Sequence, residues 1–295
     1  MKQAKKDPIN FCYYLVAYVD ILNQGEALKQ LKGVPATEDE KLEFIRVLKK
    51  TFGAVDMFRG IFEQYFIESQ KERPAPSFLS DEQRRIFDDL GKSEVKFQGF
   101  SDATIIYVPL QEKDGLVPIN GVCDALTACA STFLLMMSAG YACRGGIEVG
   151  VAGEMYEGEI YGPALYEAYR LESQVARYPR IVVGKELINY LMGLTKQESS
   201  DVFAAYAKKR ASRCVSFLIQ DIDGQPIVDY LGQGFMENVE YRPLQDGTVT
   251  KAYDFVKNEA AKWRERRDTV LSFRYNLLGN YFTSRLALWK DRLKS

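Results

Sequence analysis

An almost unbroken apolar run, Phe11–Leu22 (FCYYLVAYVDIL), contains a single carboxylate, Asp20, near its end. A run of this length without polar alternation predicts a central strand covered on both faces. A carboxylate there is costly to bury alone and is tolerated when a cation or hydrogen bonds meet it. Asp20 is therefore a candidate metal ligand. Capping of a helix that begins near Gly25, after the turn-prone Asn23-Gln24-Gly25, accounts for it equally well.

Helical spacing follows. Glu26–Lys32 predicts a short helix. Thr37 with Glu40 forms a capping-box pattern that opens a longer one to about Ser69, with Phe44, Leu48, Phe52, Val55, Phe58, Phe62 and Phe66 on its apolar spacing and Gly53 as a candidate break. Pro74 and Pro76 mark a connector, and Ser80 with Gln83 starts a short helix ending at Gly91. Val95–Gln98 and Ala103–Leu110 predict a β-hairpin with Asp102 at or beside its turn. An apolar helix over Val122–Tyr141 comes next, then a strand over Gly145–Val151. Tyr161–Ala176 predicts a helix with Pro163 in its first turn, where a missing N–H is harmless. A strand over Arg180–Val183, a hairpin over Val215–Tyr230 turning at Asp223-Gly224, and helices from Ala252 to Leu293 complete the order. It is that of an α/β sandwich, an α+β layering with a mixed sheet.

Ala125–Ala142 approaches membrane-span length. Thr, Ser, Cys and Gly dilute it and Arg144 follows it closely, so a helix buried against a sheet is expected. With 295 residues and a formal net charge of −1, no global field favours nucleic acid or a membrane. The basic segments Arg264–Arg267 and Lys290–Lys294 alternate with acidic residues and read as solvated helix faces. Histidine is absent, which removes histidine-dependent triads, histidine-ligated zinc and imidazole acid/base chemistry. The five cysteines are odd in number, lie in apolar surroundings and have no CxxC spacing. Buried free thiols and a cytoplasmic location are expected from them. Lys2, Lys5 and Lys6 before an apolar run mimic a secretory signal, but Asp20 interrupts the run and no small-residue cleavage site follows.

The segment GEIYGPALYEAYRLES, Gly158–Ser173, resembles the WGxxVNxAxRxES region of class III nucleotidyl cyclases, with Tyr161-Gly162 for Trp-Gly and Ala168, Arg170, Glu172 and Ser173 in register. YVDIL, GFSDATIIY, RGGIEVGVAG and RIVVGKEL resemble further parts of that core, in order, from Phe11 to Glu186. Within the family the wording FSD, RGGI, YGPAL, AYRLE and YPRI is most similar to the Pycsar antiphage cyclases. Those make cyclic UMP or cyclic CMP, which switches on a separate toxic effector.

The resemblance implies a class III cyclase-like core over residues 1–200, with a mixed, mostly antiparallel sheet flanked by helices. A late hairpin and a helical extension over 201–295 would pack on it. It implies UTP conversion to cyclic UMP, with CTP to cyclic CMP, a purine cyclase or an inactive nucleotide-binding module as alternatives. Asp20 and Asp102, with Ile21, would hold Mg²⁺ or Mn²⁺, hard cations suited to oxygen ligands. Arg170 would stabilise the transition state, and Tyr166 stands where the family has a ribose-orienting Asn. Backbone N–H groups at Asn23, Gln24 and Gly25 would cradle phosphates if this loop opens a helix. Gln98 and Glu159 take the base-reading positions of the purine cyclases, with Arg59 a further candidate. In this family the metal aspartates and the arginine come from different subunits, which implies a homodimer.

Overall fold

A computed structural model describes residues 11–22, 24–29, 31–71, 79–90, 93–110, 118–198, 201–239, 244 and 247–289. The chain runs β1 (Phe11–Ile21), α1 (Gln24–Leu28), α2 (Glu38–Lys71), α3 (Asp81–Leu90), β2 (Lys96–Phe100), β3 (Ala103–Pro109), α4 (Ile119–Ser138), β4 (Cys143–Tyr156), β5 (Glu159–Tyr161) and α5 (Pro163–Arg170). A π-helical turn, Leu171–Val175, continues α5. Then come β6 (Ile181–Val183), α6 (Lys185–Lys196), α7 (Val202–Val215), β7 (Leu218–Gln220), β8 (Pro226–Val228), α8 (Gln233–Val239), α9 (Thr248–Glu265), α10 (Thr269–Arg285) and a 3₁₀ turn over Leu286–Trp289.

The strands form one sheet in the order β2-β3-β1-β4-β6-β8-β7, with β5 on the end of β4. Only the β4–β6 pairing is parallel among the described strands, so the fold is α+β with a mixed, mostly antiparallel sheet flanked by helices. β1 sits between β3 and β4. Its Leu15, Ala17, Val19 and Ile21 enter the large core with Phe58, Phe62 and Phe66 of α2 and the apolar face of α4. Tyr14 and Val16 point the other way, against Ala164 and Ala168 of α5. Side chains alternate along a strand, so Asp20 emerges on the α5 face. The unbroken apolar run is the mark of a strand covered on both sides.

Local signals fall where expected. The Thr37 hydroxyl accepts from Glu40 N at 3.2 Å while the Glu40 carboxylate accepts from Thr37 N at 3.2 Å, and Ser80 and Gln83 make the same reciprocal pair at 3.2 and 3.0 Å. The β2–β3 hairpin turns on Ser101-Asp102, with Phe100 opposite Ala103.

Other expectations are corrected. Gly53 does not break α2, which runs through 34 residues without interruption; Ala54, Val55 and Phe58 around it are buried and tertiary packing outweighs its propensity. The first short helix starts at Gln24, not Glu26. Tyr161 belongs to a strand, and the helix expected over Tyr161–Ala176 is α5 plus a π-helical turn. Cys123 of α4 and Cys214 of α7 are joined as a disulfide across 91 residues, leaving Cys12, Cys129 and Cys143 free. Two of the five cysteines expected as free thiols are therefore paired. The connector at Pro74 and Pro76 lies outside the described residues.

One described helix, Ile119–Ser138, is long and apolar enough to cross a membrane, and 89% of its most apolar window is buried inside the fold. The C-terminal helices are tied to the sheet by polar contacts. Asp229, just after β8, accepts from Tyr281 at 2.8 Å and Arg285 Nε at 3.1 Å, and the Trp289 indole donates to the Leu231 carbonyl at 2.9 Å.

α5 lies close on β4 at Gly146. A Cβ there would collide with the Ala168 carbonyl and the Glu172 amide. Gly146→Ala should therefore destabilise the protein by roughly 1–3 kcal/mol, read as a lower urea midpoint at unchanged slope. An unchanged midpoint would show that α5 shifts away at no cost.

Candidate active site

β1 ends beside the β2–β3 turn, and that geometry gathers the first residues of the site. Asp20 lies opposite Ala103 in one register and opposite Arg144 in the other. Asp102 is the second residue of the two-residue turn, reached through Ser101 in the left-handed region at φ 58°, and its carbonyl accepts from Ile21 N at 3.3 Å. Burial pushes the Asp20 carboxyl up to about 6, the charges of Asp102 and Glu172 push the same way, and only Arg144 opposes them. No α1 backbone N–H among the described residues bonds to Asp20, so the helix-cap explanation has no support.

Two groups at this corner carry no role in the sequence reading. Arg144 donates through Nε and Nη2 to Glu172 Oε1 at 2.6 and 2.5 Å, and its Nη2 lies 3.8 Å from Asp20 Oδ2. Glu172, only 3% exposed, sits on the π-helical turn; burial raises its carboxyl, opposed by Arg144. Both stand inside motif segments, but a contact between residues 28 apart has no local signature. Tyr18 adds a wall, its ring edge-on to Tyr169 at 5.3 Å. Burial, followed by Glu172 and Asp20, pushes its hydroxyl up to about 12.

The remaining candidates divide by face. Gln98 of β2 accepts through Oε1 from Ile160 N of β5 at 3.0 Å, which puts it on the α5 face; the Glu159 side chain, next to Ile160 in the strand, alternates away from that face. Phe97 points oppositely, onto Phe62 of α2. Arg59 is on that side too: its guanidinium covers Gly99, and its buried Nε has no hydrogen-bond partner among the described residues. The sheet thus separates Arg59 from the Gln98 side chain. Tyr166 and Arg170 share the outer face of α5, and Arg170 Nε is held by Glu167 at 2.7 Å. Among the described residues no ion pair joins Arg170 to Asp20 or Asp102. Gln24 is buried at the start of α1, a helix of five residues, and Gly25 follows it; Asn23 lies outside the described residues. On the α2 side, Asp102 and Ser101 edge an open, mostly apolar cavity of about 380 Å³ lined by Leu28, Leu48, Phe52 and Val55.

No cluster of three or more cysteine or carboxylate side chains surrounds a metal position among the described residues. The donors at the strand end are two carboxylates, with the Ile21 backbone beside them. Such a set suits a hard divalent cation that takes its other ligands from phosphate oxygens and water. Burial raises the Asp20 carboxyl and the charge of Asp102 adds to it; a divalent cation relieves both. The residues fit the ion.

No protein-family model matches the chain, and no curated protein matches it. Solved structures do. The monomeric guanylyl cyclase domain of the RhoGC fusion protein from the aquatic fungus Blastocladiella emersonii is 13% identical, with a TM-score of 0.36, covering 75% of this chain and 96% of that one. The catalytic core of a rhodopsin-guanylyl cyclase with converted specificity, in complex with ATPalphaS, is 12% identical at a TM-score of 0.34, covering 63% and 85%. A bacterial light-regulated adenylyl cyclase is 10% identical at 0.35, covering 80% of this chain and 57% of its own. Likeness at this level carries nothing about activity.

The Asp20 geometry makes a pH prediction. The folded state holds this proton up to about pH 6 where the ordinary value is 3.8. Between those values the folded state binds more protons than the unfolded one, so stability falls as pH rises through the window. Above it the whole penalty, on the order of 2–3 kcal/mol, is present; below about pH 4 it is absent. Asp20→Asn should therefore stabilise the metal-free protein at pH 7–8 by about 1–3 kcal/mol, with the gain disappearing near pH 4. Urea unfolding across that range checks it. A gain that does not change with pH would contradict a buried, charge-opposed Asp20 carboxyl.

Proposed function

We propose that the protein is a nucleotidyl cyclase that converts UTP to 3′,5′-cyclic UMP and pyrophosphate, a signal read by a separate effector in antiphage defence. The observation that carries the reading is the pairing of Asp20 with Asp102 at the end of the central strand. Arg144, Gln98 and the outer face of α5 share that side of the sheet. The motif wording that resembles the Pycsar cyclases supports the finer assignment.

The ribose 3′-oxygen attacks the α-phosphorus in line; the new O3′–P bond forms as the bond to the bridging oxygen breaks, and the hydroxyl proton passes to solvent. Mg²⁺ or Mn²⁺ held by Asp20 and Asp102 would neutralise the polyphosphate and acidify the hydroxyl. Arg144 offers a guanidinium at the same strand end, suited to phosphate oxygens. Arg170 would meet the charge that builds as phosphorus becomes five-coordinate, and Tyr166 one turn away would orient the ribose.

Uracil fits Gln98 better than cytosine. With Oε1 engaged by Ile160 N, the free part of the amide is the Nε2 donor, which matches the O4 acceptor of uracil and not the amino donor of cytosine. Arg59, on the other face of the sheet, would contribute only through the β2 backbone.

A closed homodimer is part of the proposal. Within one chain Arg170 rests on Glu167, outside the Asp20 corner. Tyr161, Tyr166 one turn before it and, at the hairpin tip, Phe100 are 72%, 62% and 69% exposed. A second copy seated on this aromatic face by two-fold symmetry would bring its arginine to the metal carboxylates. Nothing in the charge balance calls for nucleic acid or a membrane, and a cytoplasmic location remains part of the proposal.

Incubation with each of the four nucleoside triphosphates and Mn²⁺, followed by mass analysis, tests the function. Cyclic UMP should dominate, and chelator or Asp102→Ala should abolish it. Cyclic CMP as the main product would overturn the uracil argument, and no cyclic nucleotide from any substrate would overturn the enzyme.

A further inference from the structure

Glu172 takes no part in the reaction as written above, yet it is an almost fully buried carboxylate two residues past Arg170. Its Oε1 receives both Nε and Nη2 of Arg144, at 2.6 and 2.5 Å, while the same Nη2 stays 3.8 Å from Asp20 Oδ2. The guanidinium thus faces two carboxylates and is bound at hydrogen-bond distance to one.

The register makes this choice matter. Arg144 is directly opposite Asp20 in the β1–β4 pair, so the two side chains leave neighbouring positions on one face. An arginine and an aspartate so placed form a cross-strand ion pair unless something competes. That pair would cancel the charge of Asp20 and occupy an oxygen that a divalent cation needs. The competitor arrives on the π-helical turn Leu171–Val175, a kind of insertion that concentrates at functional sites. Gly146 admits that turn against β4, where any side chain would block it.

We propose that Glu172 is a positioning residue that holds Arg144 beside Asp20 without letting the two close, so that Asp20 keeps an oxygen free for a divalent cation. The inference rests on the cyclase reading, in which Asp20 binds metal. It also explains why a buried carboxylate stands next to two others at a corner already crowded with negative charge.

The test is Mn²⁺ binding to the full chain without nucleotide, followed by titration calorimetry and by the Mn²⁺ magnetic resonance signal, so that turnover is not the readout. Glu172→Gln keeps the shape and an acceptor but removes the charge, and should weaken Mn²⁺ binding about tenfold as Arg144 moves to Asp20. Glu172→Asp, with the charge retained, should fall between. Removing the competitor should reverse the loss: Glu172→Gln combined with Arg144→Met should bind Mn²⁺ as tightly as Arg144→Met alone. A merely structural Glu172 would not be rescued in this way. Unchanged affinity in Glu172→Gln, or a double variant as weak as Glu172→Gln, would overturn the positioning role alone. Wild-type binding that Asp20→Ala leaves untouched would overturn the cyclase reading and this inference with it.

Discussion

The charge on Asp20 sits at the end of a strand buried on both faces, and the corner around it is arranged to meet that charge. β1 delivers the carboxylate to the α5 face because its odd residues fill the large core. The β2–β3 turn brings Asp102 to the same end, and β4 sets Arg144 directly opposite. Two carboxylates side by side raise each other's energy when ionised, and one guanidinium nearby, already engaged by Glu172, offsets this only in part. What remains is a site short of positive charge and supplied with oxygen donors, which is the condition for binding a hard cation with a polyphosphate.

The α5 helix and its π-helical extension connect this corner to the rest of the surface. Gly146 lets the helix lie close on β4, and over a few residues the same segment presents Tyr166 and Arg170 outward and Glu172 inward. In the proposed dimer one segment would therefore serve two sites, the partner's through Arg170 and its own through Glu172. The tail helices stay on the other side of the sheet, tied down by Asp229 and Trp289, and leave the aromatic face open.

Much of this was legible in the sequence where the physics is local. The two capping boxes span four residues each, the hairpin is flanked by strand-like runs, and the buried strand needs only its own apolar run. Legibility ended where the partner is distant. β5 is three residues long and is a strand only because the bulged end of β4 is there to pair with it. The Cys123–Cys214 bridge and the Arg144–Glu172 pair join residues 91 and 28 apart. α7, with its small, basic and apolar residues mixed, has no signal as clear as those. At the site, Asp20 and Asp102 could be singled out because carboxylates at strand ends are conspicuous. Arg59 could not be placed on the far face of the sheet until the alternation of β2 was fixed by Phe97.

The most direct test of the account is complementation between two inactive chains. Asp20→Ala removes a metal carboxylate and Arg170→Ala removes the transition-state guanidinium, which alone should lower turnover about a hundredfold or more. Mixed under conditions of demonstrated subunit exchange, the heterodimer would hold one site with both groups intact. The account predicts that the mixture regains a substantial part of wild-type activity. No recovery would contradict it and would mean that Asp20 and Arg170 act within one chain.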